Sequence, residues 1–180
     1  MAPGGTPLFD EIQARAFARA AVPADDITLG PAREIQSGWY FALITDRIGS
    51  NGVVVNKRTG RVLSLGSGRS LERQLAMYDR GYQFARYDLV ILAVHDMEAT
   101  RRVVGKLPLR VVTPSYQHGQ VWRVARDLTD QERRTQLDHL PCVFPALRLD
   151  AHIEQLEEAR REAWFEFEAL EFRPQWNLPG

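Results

Sequence analysis

Residues 50–68 read SNGVVVNKRTGRVLSLGSG, and their reading decides the fold. Val53-Val54-Val55 and Val62-Leu63-Ser64-Leu65 are short runs of β-branched and aliphatic residues, with turn chemistry at Thr59-Gly60 between them. That arrangement predicts two antiparallel strands. Asn51-Gly52 ahead of the first run predicts a tight turn, because these two residue types tolerate positive φ. Gly66-Ser67-Gly68-Arg69-Ser70 then leads into an amphipathic pattern. Glycines before a helix N-terminus can cradle a phosphate on free N–H groups. A nucleotide fingerprint, however, needs GxGxxG or GxxxxGK[ST] on a strand–loop–helix unit, and the chain contains neither motif. The glycines are therefore assigned to a hairpin and a helix cap.

Upstream, Trp39-Tyr40-Phe41 centre a further strand over residues 33–44, and residues 22–32, with Pro23, Gly30 and Pro31, read as a connection. A helix is predicted over residues 6–20, capped by Thr6 with Pro7 at its first position. Downstream, Ser70 caps a helix whose apolar residues Leu71, Leu75, Tyr78 and Tyr82 recur at helical spacing. YDLVILAV, Tyr87 to Val94, is nearly all apolar and predicts a strand covered on both faces. A short helix from Met97, strands over 109–112 and 120–124 around a polar loop, and a helix over 129–139 stopped by Pro141 follow.

The last element is read as one long helix from Asp150 to Leu170, with Ile153, Leu156, Ala163, Phe167 and Leu170 on one face. The predicted class is α+β. It comprises an N-terminal helix, a three-stranded antiparallel meander and a helix over residues 1–86. A mixed α/β extension over 87–180 ends in the long C-terminal helix.

Composition narrows the function. The formal net charge is zero, which disfavours nucleic acid as a partner, since phosphate contacts demand a basic surface. No apolar run is long enough to span a membrane. The first twenty residues lack a basic start followed by a long apolar run, so no signal peptide is expected and a cytoplasmic location is the expectation. Cys142 is the single cysteine, which excludes an intramolecular disulfide and a thiolate cage. The histidines at 95, 118, 139 and 152 fall in no metal-ligand spacing, so no metal and no cofactor are predicted.

Four stretches could carry function. His95-Asp96 follows the most apolar strand, where an imidazole base and an orienting carboxylate could sit, but Asp96 reads more simply as the cap of the next helix. Asp138, His139 and Cys142 could suggest a thiol nucleophile, yet their sequence proximity carries no geometric warrant. Tyr116-Gln117-His118-Gly119 could be a binding loop tip or a plain connection. In EQLEEARREAWFEFEALEF, Trp164 and Phe165 would point about 100° apart on a helix, so one of them would face outward among glutamates. Aromatic anchors inside an acidic rim suit protein recognition. The predicted partner-binding residues are Trp164, Phe165, Glu166, Glu168, Tyr116 and His118, with no catalytic residue assigned.

The segment SGWYFALITDRIGSNGVVVNKRTGRVLSLGSGRSLERQLAMYDRG resembles the YrhB-like immunity family of bacterial polymorphic toxin systems. The resemblance rests on the aromatic group Trp39-Tyr40-Phe41, the Ser50-Asn51-Gly52 turn, the strand from Val53 to Gly60, the strand from Val62 to Gly66 and the helix from Ser70 to Tyr82. Val53 stands where the family usually carries proline, and the resemblance covers only about the first half of the chain. It implies a non-enzymatic protein that binds and neutralises a cognate toxin domain. Alternatives are an enzyme using His95 and Asp96, or an adaptor or chaperone for a secreted effector. The neutral charge and surplus aromatics leave a homodimer open.

Overall fold

The computed structural model describes residues 8–22, 26–45 and 50–173. The chain divides into two compact units, Met1–Ala85 and Arg86–Gly180. The first contains α1 (Glu11–Ala21), β1 (Thr28–Glu34), β2 (Gly38–Ile44), β3 (Ser50–Asn56), β4 (Val62–Gly66) and α2 (Leu71–Asp79). The second contains β5 (Tyr87–Val94), α3 (Met97–Lys106), β6 (Arg110–Gln117), β7 (Gln120–Asp127), α4 (Asp130–Leu137), β8 (Cys142–Leu147), α5 (Ile153–Arg161) and β9 (Phe165–Glu171). The α+β class holds, and among the described residues every strand pairing is antiparallel.

In the first unit the four strands run in order β1-β2-β3-β4. Val53, Val55 and Phe41 pack with Ala14, Ala18 and Val22 at the α1 helix. Val54, Tyr40 and Leu65 pack with Leu75 and Tyr78 of α2 on the other face. The three consecutive valines are apolar without alternation because a helix covers each side of the sheet. All three are fully buried, and each such side chain contributes about 1.5–3 kcal/mol. The turn that follows is set by Asn56, whose Oδ1 accepts from the Arg58 and Thr59 amides, and by Gly60 at φ +67°.

Several expectations for this unit need correction. The meander has four strands, because residues 28–34 form β1 and not a connection. Pro31 obscured it. It lies in a bulge between Leu29 and Ala32 on an edge strand, where a missing N–H is tolerated. The predicted 33–44 strand is two strands joined at Ile35-Gln36-Ser37. Asn51-Gly52 is no turn. It is a bulge within β3, where Gly52 has φ +129° and a methyl group would lie 2.4 Å from the Phe41 carbonyl oxygen. Asp10 caps α1, accepting from the Gln13 amide at 2.8 Å while Gln13 reaches back to the Asp10 amide. The predicted cap Thr6 lies outside the described residues. Ser70 sits at the N-cap of α2 without a side-chain capping bond.

In the second unit β5 lies between β8 and β9. Register places Tyr87, Leu89 and Ile91 beside Leu147, Phe144 and Cys142 on one side and beside Glu171, Ala169 and Phe167 on the other. Most of these residues are buried, as are Val103 and Val104 of α3 and Ile153, Leu156 and Ala159 of α5. Helix α3 packs against α4 and α5, and α5 against β9. The opposite sheet face is open: Leu92, Val143 and Leu170 are exposed. Strand β5 is thus covered on one face only, contrary to the expectation from its composition.

The long C-terminal helix is not formed, which is the largest correction. Helix α5 starts at Ile153 after the His152 N-cap, not at Asp150, and ends at Arg161. The Ala163 amide bonds to the Arg160 carbonyl and the Trp164 amide to the Ala159 carbonyl, which is the Schellman pattern. Ala163 occupies the left-handed position at φ +51°, where glycine is usual, so the stop carries no glycine signal. Beyond it FEFEALE alternates with period two and forms β9. The polar loop over 113–119 is likewise mostly strand: β6 and β7 meet in a two-residue turn, His118-Gly119, at φ +50° and +78°. Strand β8, after the stop at Pro141, was not predicted. Among the described residues no helix is long and apolar enough to cross a membrane.

Candidate functional site

Helix α3 begins where Asp96 Oδ1 accepts from the Ala99 amide at 2.9 Å, so this carboxylate serves as a cap. The amides of His95 and Asp96 both donate to the Trp164 carbonyl at 2.9 Å, which ties the end of β5 to the start of β9. His95 Nε2 lies 3.1 Å from Glu166 Oε1, with both side chains at least half exposed. The group beside His95 is therefore Glu166 and not Asp96. A solvent-screened pair of this kind contributes only about 0–1 kcal/mol. The adjoining hollow, about 230 Å³, is lined by His95, Arg160, Ala163, Phe165, Glu166 and Phe167. The Arg160 guanidinium lies 4.4 Å above the Phe167 ring.

The other polar group singled out by sequence is not assembled. Cys142 is buried, pairs in register with Ile91, and has its thiol pushed up by that burial. His139 is exposed and its Nδ1 contacts the Thr135 carbonyl at 2.8 Å.

The outer face of the β8-β5-β9 sheet is a mixed surface. Val90 lies between Val143 and Glu168, and Asp88 lies beside Leu170. Glu166 and Glu168 are exposed along β9. The aromatic residues are placed otherwise than expected. Strand alternation turns Phe165 inward, 2% exposed, against Phe167 at a ring separation of 5.5 Å. Trp164 is half-buried, with the Arg102 guanidinium 5.9 Å over its ring. Neither ring is an open anchor. The exposed apolar residues Leu92 and Val143 take that place, and they were missed because both lie in apolar runs that read as core.

The β6–β7 hairpin is the second surface. Its strands pair from Arg110↔Asp127 to Gln117↔Gln120, and among the described residues they pair with no other strand. Val112 is 58% exposed, Tyr116 73% and Val124 49%. Val112 and Tyr116 share a face by strand alternation, and His118 stands exposed at the turn.

The root of the hairpin is fixed. Leu109 and Leu128 are buried and joined by a 2.9 Å backbone bond. Arg126 makes two bonds to the Glu132 carboxylate, whose other partners are the Thr129 amide and hydroxyl at the start of α4. Arg126 first, and then Thr129, holds the Glu132 carboxyl down to about 2. A two-stranded ribbon is marginal on its own in water, so a rigid root carrying exposed Val112 and Val124, with exposed Tyr116 toward the turn, is an arrangement suited to contact with a second surface.

No family model matches this chain, no curated protein matches it, and no solved structure matches it.

Proposed function

We propose that the protein works by binding another protein: a cytoplasmic immunity protein that neutralises a cognate secreted antibacterial toxin by covering its toxin domain. The observation that carries this reading is the β6–β7 hairpin, with Val112, Tyr116 and Val124 held in solvent by a well-bonded root. An exposed tyrosine, with Val112 on the same strand face, is the kind of anchor that dominates interface energies. The Glu166 and Glu168 row beside Leu170 and Val143 supplies a second, acidic contact that would steer a basic partner. The resemblance of residues 37–81 to the YrhB-like family supports the toxin as that partner. The reading assigns no catalytic step to His95 or Asp96.

Co-expression with a toxin-like protein encoded beside this gene tests the reading. The wild type should rescue growth and co-purify with the toxin. The variant Tyr116→Ala/Val112→Asp should lose both while keeping its circular dichroism spectrum. Co-purification without rescue would favour an adaptor or chaperone. Unimpaired rescue by the variant would remove the hairpin from the interface.

A further inference from the structure

Helices α3 and α4 enclose a cleft of about 390 Å³ that the recognition surfaces above do not include. Arg101, Arg102, Arg133 and Arg134 line it, with Asp130 as its one lining carboxylate. In a chain of zero net charge, four arginines lining one hollow are a local concentration of positive charge. Their pairing is incomplete. Arg133 Nη1 bonds Asp130 at 2.8 Å, and Arg102 leans over Trp164. Among the described residues the Arg101 and Arg134 guanidiniums have no carboxylate partner. The Arg133 side chain is 17% exposed, and its Nε–H is buried without an acceptor, as Gln136 Oε1 one turn along α4 is buried without a donor. A buried donor without a partner is uncommon. Val104 and Leu137 give the cleft an apolar wall.

We infer that this cleft binds a small anion carrying two or more linked phosphate groups. Guanidinium forks match phosphate oxygens in pairs. Four arginines less one aspartate leave a charge of about three, which suits a di- or triphosphate better than a single carboxylate. The volume lies within the range of small-molecule sites. An extended nucleic acid is disfavoured by the zero net charge of the chain. The inference goes beyond the protein-binding reading and does not depend on it.

Isothermal titration of the full chain with pyrophosphate, at low and at physiological salt, tests it. Saturable binding is expected, stronger than that of inorganic phosphate or sulfate and weakened by salt. The double variant Arg101→Gln/Arg134→Gln changes two exposed residues, so its fold should persist, and it should bind at least tenfold more weakly. Asp130→Asn should bind severalfold more tightly, since it removes the opposing charge. Absence of saturable binding, equal binding by the double variant, or no tightening in Asp130→Asn would overturn the assignment. So would a twenty-nucleotide single strand that displaces pyrophosphate and binds more tightly.

Discussion

Adjacent positions on β9 should behave oppositely when truncated. Phe165 is 2% exposed and Phe167 8%, while Glu166 and Glu168 point to solvent. A buried phenylalanine removes about 200 Å² from water, which at about 25 cal/mol per Å² corresponds to about 5 kcal/mol. Alanine keeps the Cβ, but a cavity remains, so the expected cost of Phe165→Ala is about 3–5 kcal/mol. Phe167→Ala should fall near the lower end of that range. Its ring is less completely buried than that of Phe165, although the loss of Arg160 stacking adds about 0.5–1 kcal/mol. Glu166→Ala and Glu168→Ala should stay within about 0.5 kcal/mol of wild type.

Urea unfolding followed by circular dichroism and by tryptophan fluorescence measures these differences. The two units can unfold separately, so each transition is fitted on its own. The alternating pattern of large, small, large, small is the signature of a strand. If Glu168→Ala cost as much as Phe167→Ala, or if Phe165→Ala were nearly neutral, the strand assignment and the inward placement of both rings would be refuted.

Three further outcomes are expected. Ala163→Gly should stabilise the second unit by about 1 kcal/mol, because it relieves a left-handed alanine at the end of α5, and a higher Tm for that unit would show it. Gly38→Ala should destabilise the first unit by about 1–3 kcal/mol in urea unfolding, since the methyl would lie 2.8 Å from both Val54 Cγ1 and the Val55 carbonyl oxygen. The Glu132 carboxyl is depressed to about 2 by Arg126, so its contribution is fully present above the ordinary carboxylate pKa. It is lost as pH falls from about 4.5 toward 2. Glu132→Gln should therefore flatten the acid limb of stability against pH in that window, and an unchanged limb would show that the pair does not form.

What the sequence made legible depended on whether the deciding contacts were local. Val53-Val54-Val55, the turn at Gly60, the apolar spacing of α2 and the cap at Asp96 are set by near neighbours, and their elements appear where expected, except that α2 ends at Asp79, short of Tyr82. The segment after Arg161 was misread for two reasons. Glutamate, alanine and leucine favour a helix, and the stop uses Ala163 in place of glycine. The FEFEALE alternation was the available signal, and it outweighs propensity once Phe165 and Phe167 have a core to enter. Strand β1 and the outer half of β6 were hidden by Pro31 and Pro114, both tolerated because these strands have a free edge. In the candidate site, the exposure of Tyr116 and His118 follows from the turn chemistry beside them. The approach of His95 to Glu166 joins residues 71 positions apart and leaves no local trace.

The doubly covered sheet of the first unit also has a bearing on how its strands find their partners. Where one side of a ribbon is wet, sliding a strand by one residue exposes apolar groups, and the error corrects itself. Here a slipped Val53-Val54-Val55 would still present valine to both helices, so oiliness alone cannot align it. Alignment falls to shape: the hollow at Gly38 that admits Val54 and Tyr78, the kink at Gly52, and the Tyr40 hydroxyl gripping the Asn51 carbonyl. Damage at these three places should yield a compact but mispaired molecule sooner than an unfolded one.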